Sequence, residues 1–533
     1  MPEDRPPHFP SVSSEPNGAE PPARARKIVA VGGGRGGVGK SVIAQNLAVY
    51  FAQLGKPVVL VDADPTGANL HAHFGLRALT REPPFAGPSV EEFASSLVDT
   101  SVPGLRLLPA AHDAVDAPLA LRAGRKARWL ARLRSLPAEY LVINVGPGHG
   151  PSALDIMLAA DFAVAVTVPE PPAIETTYRF LRTAYLRRMR RALSGDRFRF
   201  GLLERTLAKM GAVPAPIQLV RALIKVDRQL AEVAWAEANR LRVHLVVNQT
   251  RVRSDLELGN WMCDLARRHY GLLLDELGHI EHDDTVWLTV RRNKALLIDS
   301  PTSKAARNVE RIARRVLALL TSRPERVTER PPLPTETPTL YAILGITRTS
   351  SDEEVRRAYK RGKEIYASGG LATSSLLTDD ELKAERSKLD EAYDTLLDPL
   401  RRRAYDLSTF AEPEPVPELA VPPRPAIDAE QAMLQGELAR EIGPDTEFTG
   451  ELLRKVRESQ GIEIKEISER TKISRGHLQA IEEERFDALP AMVYVRGFVN
   501  ELAKFLKLDP PQVQRTYLRR MREGLSTRGK GVA

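Results

Sequence analysis

A single cysteine, Cys263, in 533 residues excludes a disulfide within the chain and fits a reducing, cytoplasmic setting. Nowhere do about 18 apolar residues follow one another, so no transmembrane helix is expected. The opening stretch, MPEDRPPHFPSVSSEPNGAEPPARAR, has no apolar core of the kind a secretory leader carries. It reads as a disordered tail over 1–26. There is no internal repeat, no Cys/His spacing suited to a metal centre, and no nucleophile–base pair at a recognisable spacing.

What is present is long and basic. The length calls for several domains, and 43% hydrophobic residues suffice for packed cores. A formal charge of +8 leaves nucleic acid or an anionic membrane surface open as peripheral contacts. Forty prolines cluster as punctuation. SRPERVTERPPLPTETP and AEPEPVPELAVPPRP favour extended linkers, which places linkers at 322–338 and 411–444. The blocks between them are 27–321, 339–410 and 445–525.

The first block alternates short β-rich runs with helical patterns. KIVAVGG, PVVLVDAD, GLRLLPA, YLVINVG, FAVAVTVPE and RVHLVVNQT each precede a longer segment of helical spacing. That predicts an α/β fold, a mostly parallel sheet wrapped by helices, with ligands at the carboxyl ends of the strands. The two later blocks read as small all-α domains.

GGGRGGVGKS follows the first run and opens a helix, so Gly34, Gly39, Lys40 and Ser41 make a phosphate-binding P-loop. Backbone N–H groups from Gly34 through Val42, with Arg35, Gly36, Gly37, Val38 and Gly39 between, can turn toward phosphate oxygens at a helix N-terminus. Lys40 is placed for the terminal phosphates of ATP, and Ser41 for Mg²⁺. After the second run, DADPTGANLH brings Asp62 and Asp64 to the same end of the sheet. One carboxylate can hold the metal through water while the other orients an attacking water.

These segments resemble the MinD/ParA family of deviant P-loop ATPases, and within it the FlhG-like branch. VDADPTGANLH is similar to that family's switch I, VTVPEPPAIETTYRF to its strand-then-helix segment, and VVNQTR to its adenine-side strand, with Asn248 in the base-binding position. GHIEHDDTVWLTVRRNKALLIDSP resembles its last strand and loop. The resemblance implies an ATP-dependent homodimer acting as a positional switch for flagella, polarity, division or segregation. Two residues depart from it. Arg35 stands where the family has a lysine that crosses to the partner's phosphates; it keeps the charge in a different geometry. Asn144, in YLVINVGPG, stands where an aspartate holds Mg²⁺. Asp64 is retained for water positioning. Slow hydrolysis is therefore the expectation, with a non-hydrolysing scaffold as the alternative.

LYAILGITRTSSDEEVRRAYKRGKEIY with LDEAYDTLLDPLRRRAYDLS resembles a J-domain, but ASGG follows Tyr366 where that family carries His-Pro-Asp. A docking module or spacer is the expectation. FTGELLRKVRESQGIEIKEISERTKISRGHLQAIEEERFDALP has helix-turn-helix spacing, with Leu452, Leu453, Val456, Ile467, Ile473, Leu478 and Ile481 as core. Ser474 is placed as N-cap of a second helix presenting Arg475, His477 and Gln479. The continuation LPAMVYVRGFVNELAKFLKLDPPQV resembles RodZ-type cytoplasmic domains. Three consecutive glutamates weigh toward a protein partner, while DNA stays open, as for a transcriptional or nucleoid protein. The basic segment RFLRTAYLRRMRRALSGDRFRF reads as a solvated face or as contact with an anionic surface.

Overall fold

The computed structural model describes residues 27–64, 67, 69–77, 95–109, 123–322, 333–334, 338–410, 425–443 and 446–529. The 1–26 tail and most of both proline-rich stretches lie outside the described residues.

The N-terminal block runs β1 (Lys27–Gly32), α1 (Lys40–Gln53), β2 (Val58–Ala63), α2 (Leu70–His73), β3 (Val98–Asp99), β4 (Leu105–Leu108), α3 (Ala123–Ser135) and β5 (Tyr140–Val145). It continues with α4 (Pro151–Ala159), β6 (Phe162–Thr167), α5 (Pro171–Ala192), α6 (Arg197–Met210), α7 (Pro216–Ile224), α8 (Arg228–Arg240) and β7 (Arg242–Thr250). It closes with α9 (Arg253–Leu265), β8 (Leu273–Glu281), α10 (Asp284–Arg291), α11 (Leu296–Asp299) and α12 (Lys304–Thr321).

The strands form one sheet in the order β3-β4-β2-β5-β1-β6-β7-β8. Every pairing is parallel except β3 with β4. Central strands such as VVLVDA and YLVINV are buried at every position, which is why they read as continuous apolar runs. α1 and α12 cover one face, where Ile43, Leu47 and Phe51 meet Val309, Ile312 and Val316. α3 to α9 cover the other, around Tyr178, Phe180, Tyr185 and Leu230. Each fully buried side chain of this size stabilises the fold by about 1.5–3 kcal/mol relative to exposure.

The second block holds α13 (Leu340–Leu344), α14 (Asp352–Ile365), α15 (Asp379–Leu397) and α16 (Pro399–Thr409). Ser351 with Glu354, and Thr378 with Glu381, form capping boxes that fix where α14 and α15 begin. The module is not a free spacer. Its core is continuous with the α5–α9 face of the sheet, through Tyr341, Tyr366 and Ala372. Tyr178 donates from its hydroxyl to the Ala372 carbonyl at 3.4 Å, His269 Nε2 lies 2.9 Å from the Tyr366 hydroxyl, and Arg361 pairs with Asp264. The residues on either side of the loop that stands in place of His-Pro-Asp, Tyr366 and Ala372, thus rest on the sheet domain, while Ser368 and Gly369 within it are exposed.

The interval 411–444, expected as a linker, holds a helix, α17 (Pro425–Glu441). Past its last proline the run AIDAEQAMLQGELARE is rich in good helix formers, and Pro425 suits a first turn. α17 lies against α12, where Arg315 Nε bonds Glu430 Oε2 at 2.6 Å, and its Gln435 Nε2 reaches the Ser459 carbonyl at 3.0 Å. It therefore bridges the sheet domain to the last helices: α18 (Gly450–Ser459), α19 (Ile464–Thr471), α20 (Arg475–Glu482), α21 (Met492–Phe505) and α22 (Pro510–Gly529). Leu452, Leu453, Val456, Ile467, Ile473, Leu478 and Ile481 are all buried, as their spacing predicts, with Val499 and Tyr517 closing the core. Ser474 caps α20 by accepting from His477 N.

Candidate nucleotide site

β1 lies between β5 and β6 in the middle of the sheet, so the loop leaving it is flanked by strand ends on both sides. Gly39, at φ +92°, adopts the left-handed backbone that lets the chain swing into α1. Among the described residues no side chain caps the N-terminus of α1, and its first turn holds no acid. Its first N–H groups and positive dipole end therefore remain available to an anion. Gly34 is required by close approach: a Cβ there would lie 2.2 Å from the Thr176 carbonyl oxygen in α5.

Lys40 is buried, and its ammonium donates to the Arg35 carbonyl at 2.7 Å, folding the loop around the cation. Burial holds the Lys40 pKa below the ordinary lysine value, partly offset by the nearby Asp64 carboxylate. Asp64 Oδ1 accepts from Gly67 N at 3.1 Å.

Register does the rest. Asp62 of β2 and Asn144 of β5 are direct neighbours across the sheet. Asn144 Nδ2 donates to Asp62 Oδ1 at 3.2 Å and to Ser41 Oγ at 3.3 Å. Asp62 Oδ2 accepts from Leu70 N at 3.0 Å. Burial raises the Asp62 pKa to about 6, against these hydrogen bonds. Asn144 Oδ1 is buried and has no hydrogen-bond partner among the described residues. Three residues expected from sequence to surround a metal thus converge, and one carries an orphaned acceptor, so the donor set fits a small hard cation.

Asn248, expected beside the base, donates from Nδ2 to the Val38 carbonyl at 2.9 Å, tying the end of β7 to the P-loop. The Val42 carbonyl accepts from Asn46 within α1. Gly36 sits near Pro147 of the loop after β5, and Gly37 faces open space. Arg35, expected to reach a partner subunit, is held within its own chain: Nη1 lies 2.6 Å from Glu170 Oε2. Glu170 and Thr176 were not singled out from sequence. Their only signal is position, just after the apolar run that becomes β6.

Arg475, His477 and Gln479 lie on α20, in the C-terminal helical unit rather than at the P-loop. Arg475 and Gln479 are exposed, while the His477 ring stacks on Phe498 with centroids 5.4 Å apart. The three glutamates that follow are all engaged by arginines: Glu482 by Arg457, Glu483 by Arg307 and Glu484 by Arg520. They give no ground against an anionic ligand. The basic helix α5 is likewise matched along most of its length, through Arg179–Glu175, Arg187–Asp155, Arg188–Glu237 and Arg190–Glu204. No described helix is long and apolar enough to cross a membrane.

Residues 24–189 match a family model of the ParA group described as an NUBPL iron-transfer P-loop NTPase, and residues 452–513 match one described as a helix-turn-helix domain. The chromosome-partitioning ATPase Soj of Thermus thermophilus is 34% identical over 166 residues, covering 30% of this chain and 62% of that protein. The flagellum site-determining protein YlxH of Helicobacter pylori is 32% identical over 155 residues, covering 28% and 51%. The matches thus span about half to three-fifths of these two relatives' length. A septum site-determining MinD from Pyrococcus horikoshii, solved with Mg-ADP, is 17% identical with a TM-score of 0.35, covering 56% of this chain and 98% of that one. Residues 24–189 are thus similar to ParA-type P-loop NTPases, and the helical region that follows the sheet domain includes a stretch, 452–513, that matches a helix-turn-helix domain.

Proposed function

We propose that this chain is an ATP-binding switch that dimerises on ATP, hydrolyses it slowly, and helps position a cellular structure such as a flagellum, a division site or a chromosome. The observation that carries the reading is the convergence of Lys40, Ser41, Asp62 and Asn144 beside the uncapped N-terminus of α1. In this reading the α1 N–H groups and Lys40 bind the phosphates, and Asn248 braces the loop from the base side. Mg²⁺, when bound, supplies charge neutralisation between phosphate oxygens. Ser41, Asp62 and Asn144 are the residues that would hold it. Asp64 orients a water. Arg35 is released from Glu170 to meet phosphate at the dimer interface. The related partitioning and flagellar proteins favour a positional role, exercised here through the J-like module and the C-terminal helices.

The test is ATP-dependent dimerisation by light scattering together with phosphate release, for wild type, Arg35→Lys and Asn144→Asp. A monomer at saturating ATP would overturn the switch. A dimer without phosphate release would leave a scaffold that does not hydrolyse.

A second reading is favoured by Arg475 and Gln479 standing exposed on α20 while Glu482, Glu483 and Glu484 are charge-matched. In it the helix-turn-helix contacts DNA and the P-loop domain serves to dimerise it. Binding of random-sequence duplex that weakens steeply with salt supports it; no shift at low salt rejects it.

A further inference from the structure

The charge matching along α5 stops at its C-terminal end. There the chain turns into α6, and Arg190 grips Glu204 of α6 by two bonds of 2.7 and 3.0 Å. The start of α6 in turn meets the α7–α8 turn, through Arg199 with Asp227 at 3.8 Å and with Gln229. These contacts bring three segments to one tip: the end of α5, the first turn of α6, and residues 224–228.

The tip exposes large apolar side chains that the fold leaves uncovered. Phe198 is 70% exposed, Val226 51% and Ile224 38%. Around them stand the exposed cations Arg191, Arg197, Lys225 and Arg228. Among the described residues, no carboxylate pairs with Arg191, Arg197 or Lys225, and Arg228 meets only Glu232 at 3.5 Å while staying 79% exposed. The neighbouring acids are turned inward as helix caps: Asp196 accepts from Arg199 N and Asp227 from Leu230 N. The result is a set of exposed apolar side chains interspersed with mostly unmatched cations on adjoining segments.

We propose that this tip is a docking surface for an anionic lipid bilayer. Cations alone would suit any polyanion. An exposed Phe, Val and Ile among these cations gain nothing against a phosphate backbone in water, but gain transfer energy on entering the headgroup–acyl boundary. Each Lys or Arg near an anionic leaflet adds attraction that falls off within about a Debye length. α5 is 22 residues long, so the tip lies roughly 30 Å along the helix from Glu170 at the nucleotide site. The surface is therefore independent of the nucleotide reading, and it is measured without nucleotide.

The experiment is co-sedimentation of the full chain with vesicles of phosphatidylcholine alone, or with about 30 mol % phosphatidylglycerol, a charge in the range that attracts basic segments. Binding is expected only to the anionic vesicles, and it is expected to weaken with salt. Phe198→Ala should lower the partition coefficient about tenfold, and Arg197→Glu with Lys225→Glu by at least about 20-fold. All three positions are surface-exposed and the Asp196 and Asp227 caps remain, so circular dichroism should be unchanged. Wild type that ignores anionic vesicles overturns the proposal. So do variants that bind as wild type does. Tighter binding to duplex DNA that is indifferent to Phe198→Ala would reassign the tip to nucleic acid.

Discussion

Asn144 donates its amide to Asp62 Oδ1 at 3.2 Å, across adjacent strands whose register makes the two residues direct neighbours. An amide is the neutral solution for a buried carboxylate that burial already holds up to about 6. Asn144→Asp replaces that donor with a second buried carboxylate. Like charges at this range raise each other's pKa, and the lost hydrogen bond adds its own cost. In EDTA the variant should lose about 1–3 kcal/mol, a fall of roughly 3–8 °C in melting temperature. Mg²⁺ should restore most of it, while leaving wild type nearly unmoved. A variant equally stable with and without Mg²⁺ would separate position 144 from metal binding.

Gly34 and Gly36 differ by two positions and should differ sharply in tolerance. A Cβ at Gly34 would meet the Thr176 carbonyl oxygen at 2.2 Å, and backbone cannot step aside as a flexible side chain can. A Cβ at Gly36 has its nearest neighbour, Pro147, at 3.9 Å, an ordinary contact. Gly34→Ala should pry the P-loop off α5, costing about 2–3 kcal/mol and most nucleotide affinity. Gly36→Ala should stay within about 0.5–1 kcal/mol. Thermal melts and binding of a fluorescent ATP analogue check both, and equal behaviour of the two would sink the close-approach argument.

Much of this was legible in the chain because it rests on local rules. Apolar runs such as VVLVDA had to be buried strands, and the glycine loop between strand and helix had to close at Lys40. That Asp62 and Asn144 would lie at the same end of the sheet was readable from the runs, but their direct pairing needed the strand order and register of the structure. Two features depended on contacts between distant segments and were not legible, and a third was hidden by composition. Glu170 holds Arg35 across 135 positions. The Tyr178 hydroxyl finds Ala372 across 194 positions, so the J-like stretch alone could not reveal that it packs on the sheet domain. α17 had a local signal, the helix-forming run beyond Pro425, but the prolines before it masked where the linker ends.

Arg314 is the keystone of the contact between α12 and the C-terminal helices. It is buried, with Nη2 3.2 Å from Glu458 Oε2 and Nε 3.8 Å from Glu430 Oε1. Burial works to raise the Glu458 pKa, but Arg314, Arg311 and Arg457 together lower it, so the carboxylate stays charged. Arg314→Met keeps most of the bulk and removes one cation from each glutamate, leaving Glu430 with Arg315 and Glu458 with Arg311 and Arg457. Because other cations remain, the cost should fall below the about 3–5 kcal/mol of a fully broken buried pair. Amides of α17 should then exchange faster with deuterium, while those of β1 and β5 are unchanged. Unaltered protection of α17 would mean that apolar contacts such as Met433 hold the interface without the ion cluster.

His244 should set the acid limit of the sheet. Its ring stacks on Phe162 at 3.9 Å with a 9° interplanar angle, and Nδ1 lies 3.3 Å from the Ala163 carbonyl oxygen. Burial lowers its pKa to about 4, against Asp275 and the Ala163 carbonyl, which favour the cation, and with Arg242, which does not. A folded pKa below the unfolded value of 6.5 means the unfolded chain binds more protons between the two. Stability is therefore full above about 6.5, falls as the pH drops toward about 4, and levels below it. Between pH 7 and pH 5 the loss from this one group is on the order of 2 kcal/mol. His244→Asn removes the titration, so its stability deficit against wild type should shrink by that amount over the same interval in urea unfolding. Parallel curves for the two proteins would show that the native imidazole carries a proton after all.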